Sequence, residues 1–144
     1  TYFVQTQGFS WSAVAAGLPA TFLITAVLFI NQFQDMAADA AVNKRHWVVR
    51  MGRARARAFY TVLVLAAPMS LVAGVLLGWL PATTLVALGA CLLLPKALGA
   101  VWQHYDQVHL LAPANASTVA MHLLTGVLMT SAILAGKTWT GGGS

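Results

Sequence analysis

Three polar side chains, Asn31, Asp35 and Asp39, stand four residues apart in "NQFQDMAADAAVNKRHWVVR", residues 31–50. On an α-helix each step of four overshoots a full turn by about 40°, so the three share one face. Neighbouring Cβ atoms then lie roughly 5–6 Å apart. Two carboxylates that close repel each other, and at the end of a membrane helix they also lose hydration. A divalent cation offsets both costs. Mg²⁺ is commonly held by one or two carboxylates, several waters and the oxygens of a substrate phosphate. Basic residues suited to that phosphate follow at once. Lys44 offers a point charge, and Arg45 and Arg50 offer guanidinium forks that match phosphate oxygens in pairs. Acids and then cations, at the mouth of a hydrophobic bundle, fit an amphiphile with a diphosphate head and an apolar tail. The competing reading is a hydrated helix end whose basic residues only set membrane topology.

The elements that must hold this face are written in the composition. Of 144 residues, 59% are hydrophobic and 8% are charged, with mean hydropathy +0.75. A soluble domain carries about 25% charged residues. So little charge cannot cover a water-facing surface, and the chain reads as an all-α integral membrane protein. The net charge of +5 does not point to nucleic acid, because the basic residues are few and crowd one short segment between apolar runs. Cys91 is alone, which leaves no intrachain disulfide.

Four segments match the roughly 20 apolar residues a bilayer core requires: about 12–33, 58–79, 81–101 and 117–135. They are expected as helices of a single transmembrane unit over 1–144, since open strands cannot span lipid. Cytoplasmic loops are expected at about 34–57 and 103–116. Lys44, Arg45, Arg50, Arg53, Arg55 and Arg57 lie between the first two spans, six of the eight Lys and Arg residues. The positive-inside rule therefore puts 34–57 on the cytoplasmic side of the cell (inner) membrane. Alternation leaves the 79–81 turn, the C-terminus and Lys137 outside, and Lys96 near the inner end of the third span. Gly78-Trp79-Leu80-Pro81 predicts a tight hairpin, with Gly ending one helix and Pro opening the next. Gly74 and Gly78 form a GxxxG for close helix packing, and Pro68 and Pro95 are expected to kink their helices.

Other polar residues are read structurally. Arg53, Arg55 and Arg57 alternate, so they share no helical face and serve topology. His104, Asp106 and His109 lack metal-ligand spacing and suit a polar membrane edge. His122 is expected as a hydrogen-bonded histidine inside the bundle, with the lining of a cavity as the alternative. The sequon at Asn115 falls on the predicted inner side. The chain begins at Thr1 without a cleavable signal pattern and ends in GGGS, and both ends suggest a piece of something larger.

"NQFQDMAADAAVNKRHWVVRMG" resembles the second aspartate-rich motif of the UbiA-type intramembrane prenyltransferases. That motif runs Asn-x-x-x-Asp-x-x-x-Asp, a short spacer, Gly-Lys-Arg-Thr, a few apolar residues and Val-Arg-Leu-Gly. Asn31, Asp35, Asp39, Lys44, Arg45, Arg50 and Gly52 fall on it in order. "TYFVQTQG" and "LAPANASTVAMHLLTG" are similar to segments of the menaquinone branch, the 1,4-dihydroxy-2-naphthoate polyprenyltransferases. The resemblance implies a nine-helix bundle of which this chain carries the last four helices. It also implies Mg²⁺-dependent transfer of a polyprenyl group from an allylic diphosphate to an aromatic acceptor such as dihydroxynaphthoate. Asp35 and Asp39 would be the catalytic Mg²⁺ ligands, and Asn31 a ligand or an orienting donor on the same face. Lys44 and Arg45, with Arg50, would contact the diphosphate.

Two features depart from the family. Asn43 and His46 replace the usual Gly and Thr; Asn tolerates a left-handed backbone better than most residues. The first aspartate-rich motif is absent, and Asp106 alone cannot supply a pair. The chain is therefore expected to be inactive alone and to require an N-terminal half or a partner chain. Rival readings are another acceptor class (4-hydroxybenzoate, homogentisate or a chlorophyll precursor) and a transporter or scaffold fragment. A real site requires the Asp35 and Asp39 carboxylates to point into the bundle beside Lys44 or Arg45.

Overall fold

The computed structural model describes residues 2–140, with side chains from 3 to 136. The Lys137 side chain, Thr1 and the terminal GGGS lie outside the described residues. A short helix α1 (Tyr2–Thr6) precedes the long α2 (Trp11–Ala41). Then come a five-residue α3 (Trp47–Met51) and α4 (Arg53–Leu76). A 3₁₀ stretch, Ala82–Leu93, runs directly into α5 (Leu94–His104), and α6 (Ala112–Thr140) closes the chain. No strand occurs among the described residues. Four helices are long and apolar enough to cross a membrane: Trp11–Ala41, Arg53–Leu76, Ala82–His104 and Ala112–Gly136.

The spans alternate in direction. One end of the bundle carries the charged residues, and the other carries the hairpin. Gly78, at φ +70°, ends α4 in the left-handed conformation that favours glycine. The Trp79 and Leu80 N–H groups both donate back to Gly74 O, at 2.9 and 3.0 Å. Pro81 caps the 3₁₀ stretch. Trp79 then stacks on Trp11 with ring centroids 5.2 Å apart, which locks the start of α2 to the hairpin. The two glycines of the GxxxG divide the work. Gly78 makes the turn, whereas a Cβ at Gly74 would sit 2.8 Å from Leu80 Cδ1 and 3.3 Å from Ala15 Cβ. That close approach is what a small residue permits between membrane helices.

The loop boundaries differ from expectation. Most of 34–57 is helical: α2 continues past Phe33 to Ala41, α3 covers Trp47–Met51, and α4 starts at Arg53. Hydropathy marks where lipid contact ends, but the run "DMAADAA" is rich in alanine, the best helix former, so the helix outlasts the apolar stretch. The extension carries it roughly 12 Å beyond Phe33 at 1.5 Å per residue. At the other connection α6 begins at Ala112, ahead of the expected 117. Pro95 does not interrupt a continuous α-helix. It sits in the first turn of α5, at the junction with the 3₁₀ stretch, where its missing N–H is least costly.

The main core lies toward the charged end, around Phe29, Ile30, Phe33, Tyr60, Val64 and Met121. The Tyr60 hydroxyl and Thr118 Oγ1 form a buried hydrogen bond across α4 and α6, and Thr118 Oγ1 in turn donates to Ala114 O at 2.7 Å. A smaller cluster, Ala15, Leu71, Leu80, Ala87 and Met129, fills the hairpin end. Outward faces stay apolar, with Leu28, Val62, Leu76, Leu92 and Val127 all exposed. In water such surface would drive aggregation; against lipid tails it costs nothing.

Candidate functional site

The last turns of α2 carry the acidic face, and the turn after it brings two partners back onto that face. Asn43 takes φ +58°, a left-handed conformation that Asn tolerates, where the related motif has glycine. With the chain reversed there, Lys44 N–H donates to Asp39 O at 2.8 Å, and Asn43 N–H to Ala40 O at 3.1 Å. Lys44 Nζ comes within 3.3 Å of both Asp39 carboxylate oxygens. His46 Nε2 lies 3.2 Å from Asp39 Oδ2. A carboxylate near a helix C-terminus meets the negative end of the helix dipole, and the Lys44 ammonium offsets that repulsion. The Asp39 side chain is thereby mostly covered, at 16% exposure, while Lys44 keeps 67%.

Asp35 is placed differently. It is exposed on a stripe of α2, with Gly17, Thr21, Ile24 and Leu28, that no described helix covers. Among the described residues no ion pair reaches it. The expected geometry thus holds for Asp39, which sits beside Lys44, and not for Asp35, which faces away from the four-helix core. The cause is helical phase: Phe33 occupies the buried position next to it, and the core is already filled. Arg45 and Arg50 are exposed as well, Arg50 in the last turn of α3.

Asn31 completes the face from one helical turn deeper. Its Oδ1 accepts a hydrogen bond from Asn115 Nδ2 of α6 at 2.8 Å. Sequence reasoning gave Asn115 no such role. Its only signal is that it is the lone amide side chain within Ala112–Gly136. The Asn115 Oδ1 is buried and finds no donor among the described residues. A shallow groove starts here, with Gln34 and Asn115 at its polar end and Val119, Ala120 and Leu123 along its apolar length.

The remaining cations behave otherwise. The Arg57 guanidinium sits between two rings at the C-terminal end of the third span, 4.5 Å from the Trp102 centroid and 4.3 Å from that of Tyr105. Arg53 Nη1 donates to Asp106 O at 3.4 Å, and Trp102 Nε1 donates to Thr61 Oγ1 at 3.0 Å. These residues clasp α4 to the end of α5, a packing role added to any topological one. No cluster of three or more metal-ligating His, Cys, Asp or Glu exists among the described residues, and Asp106 meets Arg53 through its backbone carbonyl. The Nδ1 atom of His122 is buried without a hydrogen-bond partner there, contrary to the expected bundle hydrogen bond.

The donor chemistry suits a hard divalent cation. Asn31, Asp35 and Asp39 present oxygen acceptors along one helix face. A carboxylate has about four lone-pair sites, so Asp39 keeps acceptor capacity beyond Lys44 and His46.

Comparisons with known proteins bear on the family. The UbiA prenyltransferase family matches residues 1–114, a range that includes the whole acidic and basic face and the start of α6. Over 140 residues the chain is 26% identical to a 2-carboxy-1,4-naphthoquinone phytyltransferase from Synechocystis. That alignment covers 97% of this chain and 44% of the relative, so the chain spans less than half the relative's length. No solved structure matches the chain. With four spans of membrane length, an aspartate–asparagine face in family spacing and a family match over most of its residues, this multi-pass membrane chain belongs to the UbiA prenyltransferase family.

Proposed function

We propose that this chain carries half of the active site of a Mg²⁺-dependent aromatic prenyltransferase. The donor would be a polyprenyl diphosphate and the preferred acceptor 1,4-dihydroxy-2-naphthoate, as in menaquinone biosynthesis. The observation that carries this reading is Asp39 with Lys44 folded onto it, at the end of an Asn31–Asp35–Asp39 spacing along α2, inside the family-matched residues. The activity of the Synechocystis relative, phytyl transfer to a carboxynaphthoquinone, supports the naphthoate branch.

Each residue has a chemical task in this scheme. Asp35 and Asp39 hold the metal, with Asn31 oriented beside them by Asn115. Bound Mg²⁺ would supply charge neutralisation on the diphosphate oxygens. Lys44, Arg45 and Arg50 take up the negative charge that grows on the leaving diphosphate as the allylic C–O bond breaks. The diphosphate leaves with the C–O electron pair, a ring carbon of the acceptor gives its π pair to the allylic cation to form the new C–C bond, and that carbon then releases its proton, or its carboxylate as CO2, whose bonding pair restores aromaticity. The groove along Val119, Ala120 and Leu123 seats apolar chain next to the polar head and keeps water from the allylic cation. The opposing aspartate-rich motif comes from an N-terminal half or a partner chain, without which the chain is inactive. By the positive-inside rule, the basic residues of 44–57 support a site on the cytoplasmic face of the inner membrane.

The test is transfer by the protein completed with that opposing half. We expect Mg²⁺-dependent prenylation of dihydroxynaphthoate, lost when Asp35→Asn or Asp39→Asn is introduced singly. If both variants keep near-normal rates, the metal-ligand assignment is wrong. If 4-hydroxybenzoate or homogentisate is prenylated in preference, the naphthoate branch is wrong and the family chemistry stands.

A further inference from the structure

The Lys-Arg-Thr of the related motif reads Lys-Arg-His here, and the proposed roles of the site leave that histidine without a task. The structure gives it two contacts at once. Its Nδ1 accepts the Val49 N–H at 3.4 Å, which makes His46 the N-cap of α3. With Nδ1 accepting, the neutral ring carries its proton on Nε2, and that nitrogen lies 3.2 Å from Asp39 Oδ2. The N–H points off the line to the oxygen, so this is a close polar contact rather than an ideal hydrogen bond. The ring is 10% exposed, so it is held in place by its surroundings. One side chain thus joins the end of α2 to the start of α3, the helix that presents Arg50. A threonine in this position reaches the cap but is too short to span to the carboxylate as well.

We infer that His46 is a positioning residue for Asp39. It restrains Oδ2 of the carboxylate, so that the group keeps one orientation in which Oδ1, contacted by Lys44 Nζ at 3.3 Å, retains lone-pair capacity for a cation, and it ties α3, with Arg50, to the end of α2. The inference rests on the reading of Asp39 as a metal ligand. Partners that orient a ligating carboxylate typically change metal affinity or activity by about 10–100-fold when removed.

Two substitutions separate the contacts. His46→Asn keeps an acceptor for the Val49 N–H and loses the reach to Asp39. His46→Gln keeps a donor at the Nε2 position and gives up the cap. The probe is Mn²⁺ titrated in the presence of farnesyl diphosphate into the completed protein in lipid nanodiscs, followed by electron paramagnetic resonance. Hydrogen exchange on the metal-free protein is the second readout. We expect His46→Asn to require about tenfold more Mn²⁺ for half-saturation, and His46→Gln to stay within about twofold of the wild type. Without metal, His46→Asn should speed exchange at the Asn43 and Lys44 amides, and His46→Gln at the Val49 amide. Wild-type Mn²⁺ binding by His46→Asn, or equal weakening by both variants, overturns the inference. The Asp39→Asn control tells the two failures apart. If it binds Mn²⁺ normally, the metal-ligand reading falls and the inference with it. If it loses Mn²⁺ while His46→Asn does not, only the role of His46 falls.

Discussion

Two clusters at the charged end of the bundle use basic side chains in opposite ways. In the turn after α2, Lys44 and His46 converge on one carboxylate, and all three groups come from a span of eight positions, 39–46. At the foot of α4, Arg57 and Arg53 engage the end of α5 from about fifty positions away, through the faces of Trp102 and Tyr105 and the Asp106 carbonyl. The first cluster leaves its ammonium largely in solvent while it pairs with Asp39. The second stacks its guanidinium between rings, where it is occupied. A basic segment in a membrane protein is therefore not one feature. Whether a cation meets a carboxylate or an aromatic sandwich decides whether it remains available to a ligand.

The contrast can be broken at its centre first. Lys44→Ala should raise the KM for the polyprenyl diphosphate in the completed enzyme by about 10-fold or more, the scale of a charge-assisted contact of roughly 1.5–3 kcal/mol. Steady-state kinetics measures this, and thermal stability should change little alongside it. An unchanged KM would remove Lys44 from the diphosphate site. At the opposite end of the bundle, Gly74→Val should lower stability by about 1–3 kcal/mol through overpacking against Leu80 and Ala15. Thermal unfolding in detergent measures it, and a wild-type midpoint would mean the hairpin is not packed as described.

Arg57→Leu should cost about 1–2 kcal/mol by removing the cation from between its two rings. The same unfolding assay reads this, and Mg²⁺ requirement should not move; a shifted requirement would place Arg57 in the site after all. Asn115→Ala releases Asn31 from its hydrogen bond and should cost about 1 kcal/mol, seen as a roughly fivefold fall in kcat/KM. Arg55 is exposed, and Arg55→Gln should change stability by less than about 0.5 kcal/mol in the same assay. A larger loss would give that residue a partner the fold does not show.

The helical spacing of the candidate residues was legible in the sequence. The i, i+4, i+8 pattern requires only that α2 remain helical through Asp39, and it does. The sequence admitted a left-handed turn at Asn43 without requiring it, because Asn tolerates that conformation better than most residues. The phase of the face was not. That Asp39 is covered while Asp35 is open depends on which side of α2 the other helices occupy. Asn115 was illegible for the same reason: its pairing with Asn31 joins residues 84 positions apart. The Arg57 sandwich was hidden because alternation argues against a shared helical face, and a single arginine needs no such face to meet rings on another helix.

By itself the sequence determined the features that local chemistry dictates. Low charge and four apolar runs demand membrane helices, Gly78 and Pro81 demand the hairpin, and the acidic spacing demands a common face on α2. Tertiary structure alone decided which members of that face are held and which are offered. Covalent spacing sets the angles along one helix, but the burial of a side chain depends on where the neighbouring helices pack. That packing tied Asp39 to Lys44 and His46, bound Asn31 to Asn115, and left Asp35 on an uncovered surface.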